Sequence, residues 1–214
     1  MSDDQSSTSW LYAGGTDSRE IARRYNEWAA DYDADITAWS YEAPQVVARI
    51  VVERAPDAAS ILDAGCGTGL VGTALRAAGA SGQIVGIDVS EASLEIARAT
   101  GAYGSVAPAD LQEPLDFADD LFDVLVCVGV MTYVPDVEAA WREFARVVRP
   151  GGLVVVTQRE DLWGDRRCAE VIDALAGEGV WSAEVTGPRT YLPGNTEGMA
   201  DVGVHYVTAV VGST

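Results

Sequence analysis

The chain has 214 residues, of which 48% are hydrophobic, which is enough for one sizeable domain and hardly enough for two. Its formal net charge of −19 at pH 7 repels polyphosphate chains and argues against a DNA or RNA partner. No apolar run is long enough for a membrane span and no signal-peptide core is present, which predicts a cytoplasmic protein without a membrane partner.

Residues 1–16 are rich in serine, glycine and acidic side chains, and we expect a mobile acidic tail there. The domain is predicted over 17–214, beginning with a helical lid over 17–56. Asp17 is expected to cap the first lid helix, and a second helix is predicted from about Pro44. Apolar and aromatic residues recur at helical spacing in the first helix, at Ile21, Tyr25, Trp28 and Tyr32. This stripe either packs on the domain or closes over bound ligands.

A strand, a tight turn and a helix are predicted around the run Asp63-Ala64-Gly65-Cys66-Gly67-Thr68-Gly69. Glycines let the backbone approach a ligand, and N–H groups at a helix N-terminus favour polar or anionic ligand groups. The run Gly67–Gly72 also satisfies the dinucleotide pattern G-x-G-x-x-G, and Asp88 lies nineteen residues past Gly69. Asp63 favours another interpretation, because a carboxylate at the mouth of the turn suits the ammonium end of S-adenosylmethionine better than a diphosphate.

Strands and helices alternate along the rest of the chain. Further strands are predicted at 83–88, 103–107, 122–128, 153–157, 181–186 and 205–211, and further helices at 90–101, 137–148 and 165–177. The stretch 187–203 is predicted as an irregular loop. This order predicts a single Rossmann-like α/β domain with a seven-stranded, mostly parallel sheet, helices on both faces and a final antiparallel strand.

Five signals in this order resemble the class I S-adenosylmethionine-dependent methyltransferases, in their small-molecule branch. They are Asp63–Gly69, Asp88, Ala109-Asp110-Leu111, Phe122–Val128 and Arg149-Pro150-Gly151-Gly152. The N-terminal segment from Tyr25 to Pro44 resembles that of the Williams-Beuren-region methyltransferase-like proteins. The resemblance implies a methyltransferase whose donor is S-adenosyl-L-methionine and whose product is S-adenosyl-L-homocysteine.

The resemblance also implies a cofactor site. Asp63 would lie near the amino group of the cofactor, Asp88 would accept hydrogen bonds from both ribose hydroxyls, and Asp110 would accept one from the adenine amino group. The full predicted set of cofactor-binding residues is Asp63, Gly65, Cys66, Gly67, Gly69, Asp88, Val89, Asp110, Leu111, Cys127, Val128 and Tyr32. For Asp88 and Asp110 the alternative is a carboxylate that only caps a turn.

The predicted acceptor is a small molecule with a nucleophilic nitrogen, oxygen or sulfur atom. Methyl transfer from a sulfonium depends largely on positioning, and it needs a base only when the nucleophile is protonated. Tyr133 and His205, the sole histidine, are the candidate catalytic residues, each with a structural role as the alternative. The acceptor pocket is predicted to contain Tyr25, Trp39, Tyr133, Gln158 and Arg159.

Two other functions stay open on the sequence. One is a cofactor-binding protein without turnover, and the other is an NAD(P)-dependent oxidoreductase using Gly67–Gly72, which the absence of any lysine for a Tyr-x-x-x-Lys pair disfavours.

The cysteines Cys66, Cys127 and Cys168 lack metal-ligand spacing, so we expect free thiols and no metal. A monomer or homodimer is expected. The acidic composition fits either adaptation to high salt or a compositional bias of the source genome.

Overall fold

The computed structural model describes residues 10–13, 15–196 and 198–212. Its strands are β1 (Ser60–Ala64), β2 (Gln83–Asp88), β3 (Ser105–Pro108), β4 (Phe122–Cys127), β5 (Val148–Arg159), β6 (Trp181–Thr190) and β7 (Gly203–Val211). They form one sheet in the order β3-β2-β1-β4-β5-β7-β6. The first five strands pair in parallel, and β7 runs antiparallel to both β5 and β6. The predicted seven-stranded, mostly parallel sheet with a final antiparallel strand is confirmed.

Helices surround the sheet. They are α1 (Trp10–Ala13), α2 (Ser18–Ala38), α3 (Ala43–Arg54), α4 (Leu70–Ala77), α5 (Glu91–Ala99), the 3-10 turn η1 (Met131–Tyr133), α6 (Val137–Val147), α7 (Glu160–Trp163) and α8 (Cys168–Gly177). Side chains alternate between the faces of a strand, so Val154 of β5 packs with α6 and α8 whereas Val155 packs with α3 and α4. The sheet therefore has one buried core on each face, with Trp141 and Phe144 at the centre of the first.

Strand β5 begins five residues earlier than predicted, at Val148, and includes the Pro-Gly-Gly run expected to end α6. Asp123 accounts for this difference. One carboxylate oxygen accepts from Arg149 at 2.6 Å and the other accepts from the backbone N–H groups of Ala59 and Ser60, which ties the starts of β1, β4 and β5 together. Strands β6 and β7 are also longer than predicted, so that the irregular loop shortens to 191–202.

The N-terminal part differs from the predicted mobile tail. Residues 1–9 and 14 lie outside the described residues, but 10–13 form a helical turn that packs on the domain. The Trp10 ring lies edge-on to Tyr25 at 5.1 Å, Leu11 is buried, and the Leu11 carbonyl accepts a hydrogen bond from Arg159. Apolar side chains in an otherwise polar segment explain why this turn joins the core.

Helix α2 follows, and Asp17 caps it by accepting hydrogen bonds from the N–H groups of Arg19 and Glu20. It contacts α5 and passes over the carboxyl ends of the strands. No helix in the described part of the chain combines the length and apolar character needed to cross a membrane.

Candidate functional site

A cleft of about 870 Å³, part of it open to solvent, lies between α2 and the carboxyl ends of the parallel strands. Those ends meet at one edge of the sheet, which is where open α/β folds bind ligands. The lining of the cleft includes Ser18, Tyr25, Tyr32, Tyr41, Gly65, Cys66, Gly67, Thr68, Asp88, Val89, Asp110, Leu111, Gln112, Val128, Gly129 and Tyr133.

The turn after β1 provides the floor of this cleft. Gly67 has a φ of +52°, a conformation that favours glycine, and a Cβ built on it would meet no atom within 4 Å. Its N–H donates to one oxygen of Asp88 at 2.9 Å, while the N–H of Ser90 donates to the other at 2.8 Å. Burial raises the pKa of Asp88, and these backbone donors oppose the rise. Asp88 is thus held at the end of β2 with lone pairs left for ligand hydroxyls.

Asp63, the last but one residue of β1, is fully buried. Its Oδ2 accepts from the hydroxyl of Tyr103 at 2.7 Å, and its Oδ1 has no hydrogen-bond partner among the described residues. Burial raises the pKa of this carboxyl to about 7, the Tyr103 hydroxyl lowers it, and the charge of Asp88 raises it. Asp63 does not line the cleft itself, although Gly65 and Cys66 beside it do.

Tyr103 was missed by the sequence reasoning. Its ring fills the space left by three glycines, because a Cβ on Gly69, Gly72 or Gly86 would press against it. Its hydroxyl also accepts from the N–H of Gly72 at 3.0 Å, in the first turn of α4. Gly72, the third glycine of the G-x-G-x-x-G match, therefore makes room for a tyrosine. The glycines at 72 and 86, one on a helix and one on a strand, were the signal in the sequence.

The end of the cleft beyond β3 is formed by the Ala109–Gln112 segment. Asp110 accepts from the backbone N–H of Gln112 at 2.9 Å, and Leu111 is buried beside it. The Gln112 side chain donates to Ser18 at 2.8 Å and to the carbonyl of Tyr133 at 3.3 Å. Gln112 therefore joins the start of α2 to the turn η1, a connection that the sequence did not indicate.

Four tyrosines, Tyr25, Tyr32, Tyr41 and Tyr133, line the cleft as a group that we call the tyrosine wall. The hydroxyls of Tyr25 and Tyr133 are hydrogen-bonded at 2.9 Å. Burial is the main cause that raises the pKa of each of the four hydroxyls, so all are neutral near pH 7. The wall offers ring faces and hydroxyls but no base.

Helix α2 is also attached on the other side of the cleft. The Asn26 side-chain oxygen accepts from the hydroxyl of Ser90 at 2.8 Å and from the N–H of Ala92 at 3.1 Å. Thr68 of the glycine turn donates to Asp33 at 2.6 Å. These contacts tie α2 to α5 and to the turn, and they support a lid in this position.

Several predicted site residues do not line the cleft. Gly69 packs against α5, with φ at +98°, and supports the turn from behind. Cys127 is fully buried in the core below the end of β4. Trp39 is buried among the lid aromatics, 5.8 Å from Trp28. All three residues therefore face the interior of the domain.

The predicted residues at the end of β5 and on β7 are likewise outside the cleft. Arg159 is paired with Asp161 and donates to the carbonyl of Leu11. Gln158 is buried, and His205 pairs with it across the β5–β7 ladder. The His205 ring lies 4.3 Å from Trp163, and burial lowers its pKa despite the nearby Glu160. The structure therefore does not bring His205, Gln158 or Arg159 to the acceptor side of the cleft.

Comparison with known proteins identifies the family. The family model described as a methyltransferase domain matches residues 62–156. Methyltransferase-like protein 27 of Homo sapiens is 34% identical over 178 residues, which cover 77% of this chain and 69% of that protein. The chain belongs to the class I S-adenosylmethionine-dependent methyltransferases. The predicted family and donor are confirmed, and the nicotinamide interpretation of Gly67–Gly72 is set aside.

Other methyltransferases match a smaller part. A ubiquinone biosynthesis O-methyltransferase of Alkalilimnicola ehrlichii is 36% identical over 99 residues, which cover 44% of this chain and 39% of that protein. The matched region thus spans well under half of that relative. Among solved structures, the [4+2]-cyclase SpnF superposes with a TM-score of 0.71 at 19% identity, covering 94% of this chain and 98% of that chain. This likeness shows a shared fold.

The residues of the cleft fit the methyltransferase cofactor. The missing Cβ of Gly67 leaves open space over the floor, Asp88 is oriented by two backbone donors, and the buried Oδ1 of Asp63 still lacks a partner among the described residues. A ligand with a ribose supplies donors for Asp88, whereas Asp63 lies outside the lining, beside Gly65 and Cys66. Within the described ranges, no group of three or more His, Cys, Asp or Glu side chains could hold a metal ion.

Proposed function

We propose that this methyltransferase acts on a small molecule and methylates a nitrogen, oxygen or sulfur atom of it beneath α2. The observation that carries the proposal is the tyrosine wall, which faces the strand ends across a partly open cleft. The cleft, whose volume of about 870 Å³ includes space open to solvent, would have to hold the cofactor and the acceptor together. The acidic net charge of −19 supports a small acceptor over a nucleic acid.

When bound, S-adenosylmethionine supplies a methyl group on a sulfonium that leaves readily. The residues of this chain would position the two reactants and keep water out. Asp88 would hold the ribose, Val89 and Leu111 would pack on the adenine, and Asp110 would accept from its amino group. Val128 and Gly129, at the end of β4, would border the sulfonium, with the tyrosine wall opposite them.

The lining suggests which acceptors react. Its carboxylates, Asp88 and Asp110, follow β2 and β3 on the side assigned to adenosine, and the buried tyrosines are neutral. Among the described lining residues none carries a positive charge, so a carboxylate or phosphate acceptor would lack a counter-charge. Because the wall offers no base, an acceptor whose nucleophile is already deprotonated near neutral pH, such as a weakly basic amine or an acidic thiol, suits this environment better than an alcohol.

Tyr133 remains the proposed catalytic contact. Its hydroxyl is fixed by Tyr25, and burial keeps it protonated, so it would orient an acceptor by hydrogen bonding and would not remove a proton. Aromatic faces of the wall would also favour a cationic or amine-bearing group. We include in the proposal a cytoplasmic location, which the free thiols of Cys66, Cys127 and Cys168 support, and a monomer or homodimer.

The test is a screen for S-adenosylhomocysteine release with matched panels of small amines, thiols, phenols and carboxylic acids. We expect product from amines or thiols and none from carboxylic acids. Tight S-adenosylhomocysteine binding without product from any panel would favour a cofactor-binding protein without turnover. Methylation of a protein or nucleic acid alone would show that the acceptor class is wrong.

A further inference from the structure

Tyr103 occupies a position that links three parts of the cofactor site. It lies just before β3, and its ring packs with Leu94 and Ala97 of α5 and with Cys66 of the glycine turn. Its hydroxyl donates to Asp63 Oδ2 at 2.7 Å and accepts from the N–H of Gly72 at 3.0 Å. One side chain therefore contacts the end of β1, the turn after it and the start of α4.

The two hydrogen bonds have a fixed direction. The Gly72 N–H can only donate, so the Tyr103 oxygen accepts there and its proton is directed to Asp63. A hydroxyl arranged in this way stabilises the ionised form of Asp63 and holds Oδ2 in place. Oδ1, the atom without a partner among the described residues, is then the acceptor left for a ligand.

We infer that Tyr103 is a positioning residue for the cofactor: its hydroxyl favours the carboxylate form of Asp63, orients it toward the amino group of S-adenosylmethionine, and so sets the pH range of cofactor binding. This role rests on the cofactor of the family and on the assignment of Asp63 to the amino group. It does not depend on the acceptor. The role is exerted through Asp63, since Tyr103 does not line the cleft.

The titratable groups around Asp63 come from several elements. Tyr103 precedes β3, Asp88 ends β2, Cys66 lies in the turn, and Cys127 ends β4. Burial raises the pKa of both thiols, which stay neutral, and Asp88 opposes ionisation of Asp63. Tyr103 is thus the neighbour that favours the carboxylate.

The experiment measures the dissociation constant of S-adenosylhomocysteine by calorimetry from pH 5.5 to 9 for the wild type and Tyr103→Phe. The ratio of the two constants cancels the titration of the ligand's own amino group. We expect Tyr103→Phe to bind about tenfold more weakly near pH 6.5, and to approach the wild type near pH 9, where Asp63 is ionised in both. The acid limb, which is the low-pH part of the affinity profile where protonation of Asp63 weakens binding, should move up by about one pH unit in Tyr103→Phe.

A merely structural role would not give this pattern. Tyr206→Phe, which alters a buried tyrosine on β7, is the matched control and should leave the pH profile unchanged. In an Asp63→Asn background, Tyr103→Phe should no longer produce a pH-dependent effect. A ratio that is the same at every pH would overturn the inference.

If Tyr103→Phe does not fold, the inference is tested by comparing the pH dependence of the dissociation constant in the wild type and in Asp63→Asn. The proposed role requires Asp63→Asn to remove the acid limb of cofactor affinity. An acid limb in Asp63→Asn that is identical to that of the wild type would overturn the inference.

Discussion

The hydroxyl groups of Tyr25 and Tyr133 lie 2.9 Å apart, and their hydrogen bond joins α2 to the turn that follows β4. Tyr133 is 8% exposed, and the Trp10 ring stacks beside it at 6.4 Å. This contact is therefore one of those that hold α2 in place, and it also fixes the Tyr133 side of the cleft. Substitution of either tyrosine should therefore affect both the attachment of α2 and the Tyr133 side of the cleft.

We expect Tyr25→Phe and Tyr133→Phe each to lower turnover while leaving S-adenosylhomocysteine affinity within about twofold, because neither hydroxyl is assigned to the cofactor. The lost bond is worth about 1 kcal/mol. Since both variants remove the same bond, the double variant should resemble either single one. Steady-state kinetics with an accepted substrate would check this, and strictly additive losses would contradict it.

Asp88→Ala should weaken S-adenosylhomocysteine binding by about 2–3 kcal/mol, through loss of charge-assisted hydrogen bonds to the ribose. The substitution also removes the acceptor for the N–H of Gly67, so the turn loosens as well. Asp88→Asn keeps one acceptor oxygen and should lose less. Calorimetry measures all three proteins, and wild-type affinity in Asp88→Ala would show that the ribose assignment is wrong.

Gly67→Ala should lower both stability and cofactor affinity. A left-handed alanine costs roughly 1–2 kcal/mol, and the new methyl group would project into the open space over the floor of the cleft. Gly179→Ala is the matched control, because Gly179 has a φ of +77° in the turn after α8 and equally open surroundings. Thermal unfolding should show similar losses for both variants, whereas only Gly67→Ala should raise the dissociation constant.

Asp63 should make the ligand-free protein less stable as the pH rises. Burial raises the pKa of its carboxyl from 3.8 to about 7, so the folded state binds the extra proton between these values. The contribution of this carboxyl to the free energy of unfolding is largest below about pH 4. It decreases as the pH rises and has fallen by up to about 4 kcal/mol once the pH passes 7. Denaturant unfolding of Asp63→Asn against the wild type should show a difference that grows toward pH 8 in favour of the variant. A pH-independent difference would contradict the raised pKa.

The cofactor side of the site could be predicted because it depends on chain order. Parallel strands bring their carboxyl ends to one edge, so Gly67, Asp88 and Asp110 had to meet there once the strands were recognised. Glycine turns and strand-end acids are local patterns, and local patterns can be read from a single sequence.

The acceptor side could not be predicted in the same way. Gln158 and His205 lie close to strand ends, but whether such a side chain reaches the cleft depends on strand register and on what packs above it. Tyr103 was missed because its contacts with Asp63, Gly72 and Gly86 join elements distant in sequence. The start of β5 at Val148 was missed for a similar reason, since Asp123 and Arg149 extend the ladder through a tertiary ion pair.

Three attachments fasten α2 across the mouth of the cleft: Asn26 to α5, Asp33 to the glycine turn and Tyr25 to η1. A spent cofactor that leaves past the helix can do so only when all three contacts break. Exchange of product for a fresh donor along that route would require the helix to swing outward, a step slower than the breaking of any single hydrogen bond. An enzyme limited by this step would complete its first methyl transfer quickly, and later turnovers would be limited by product release.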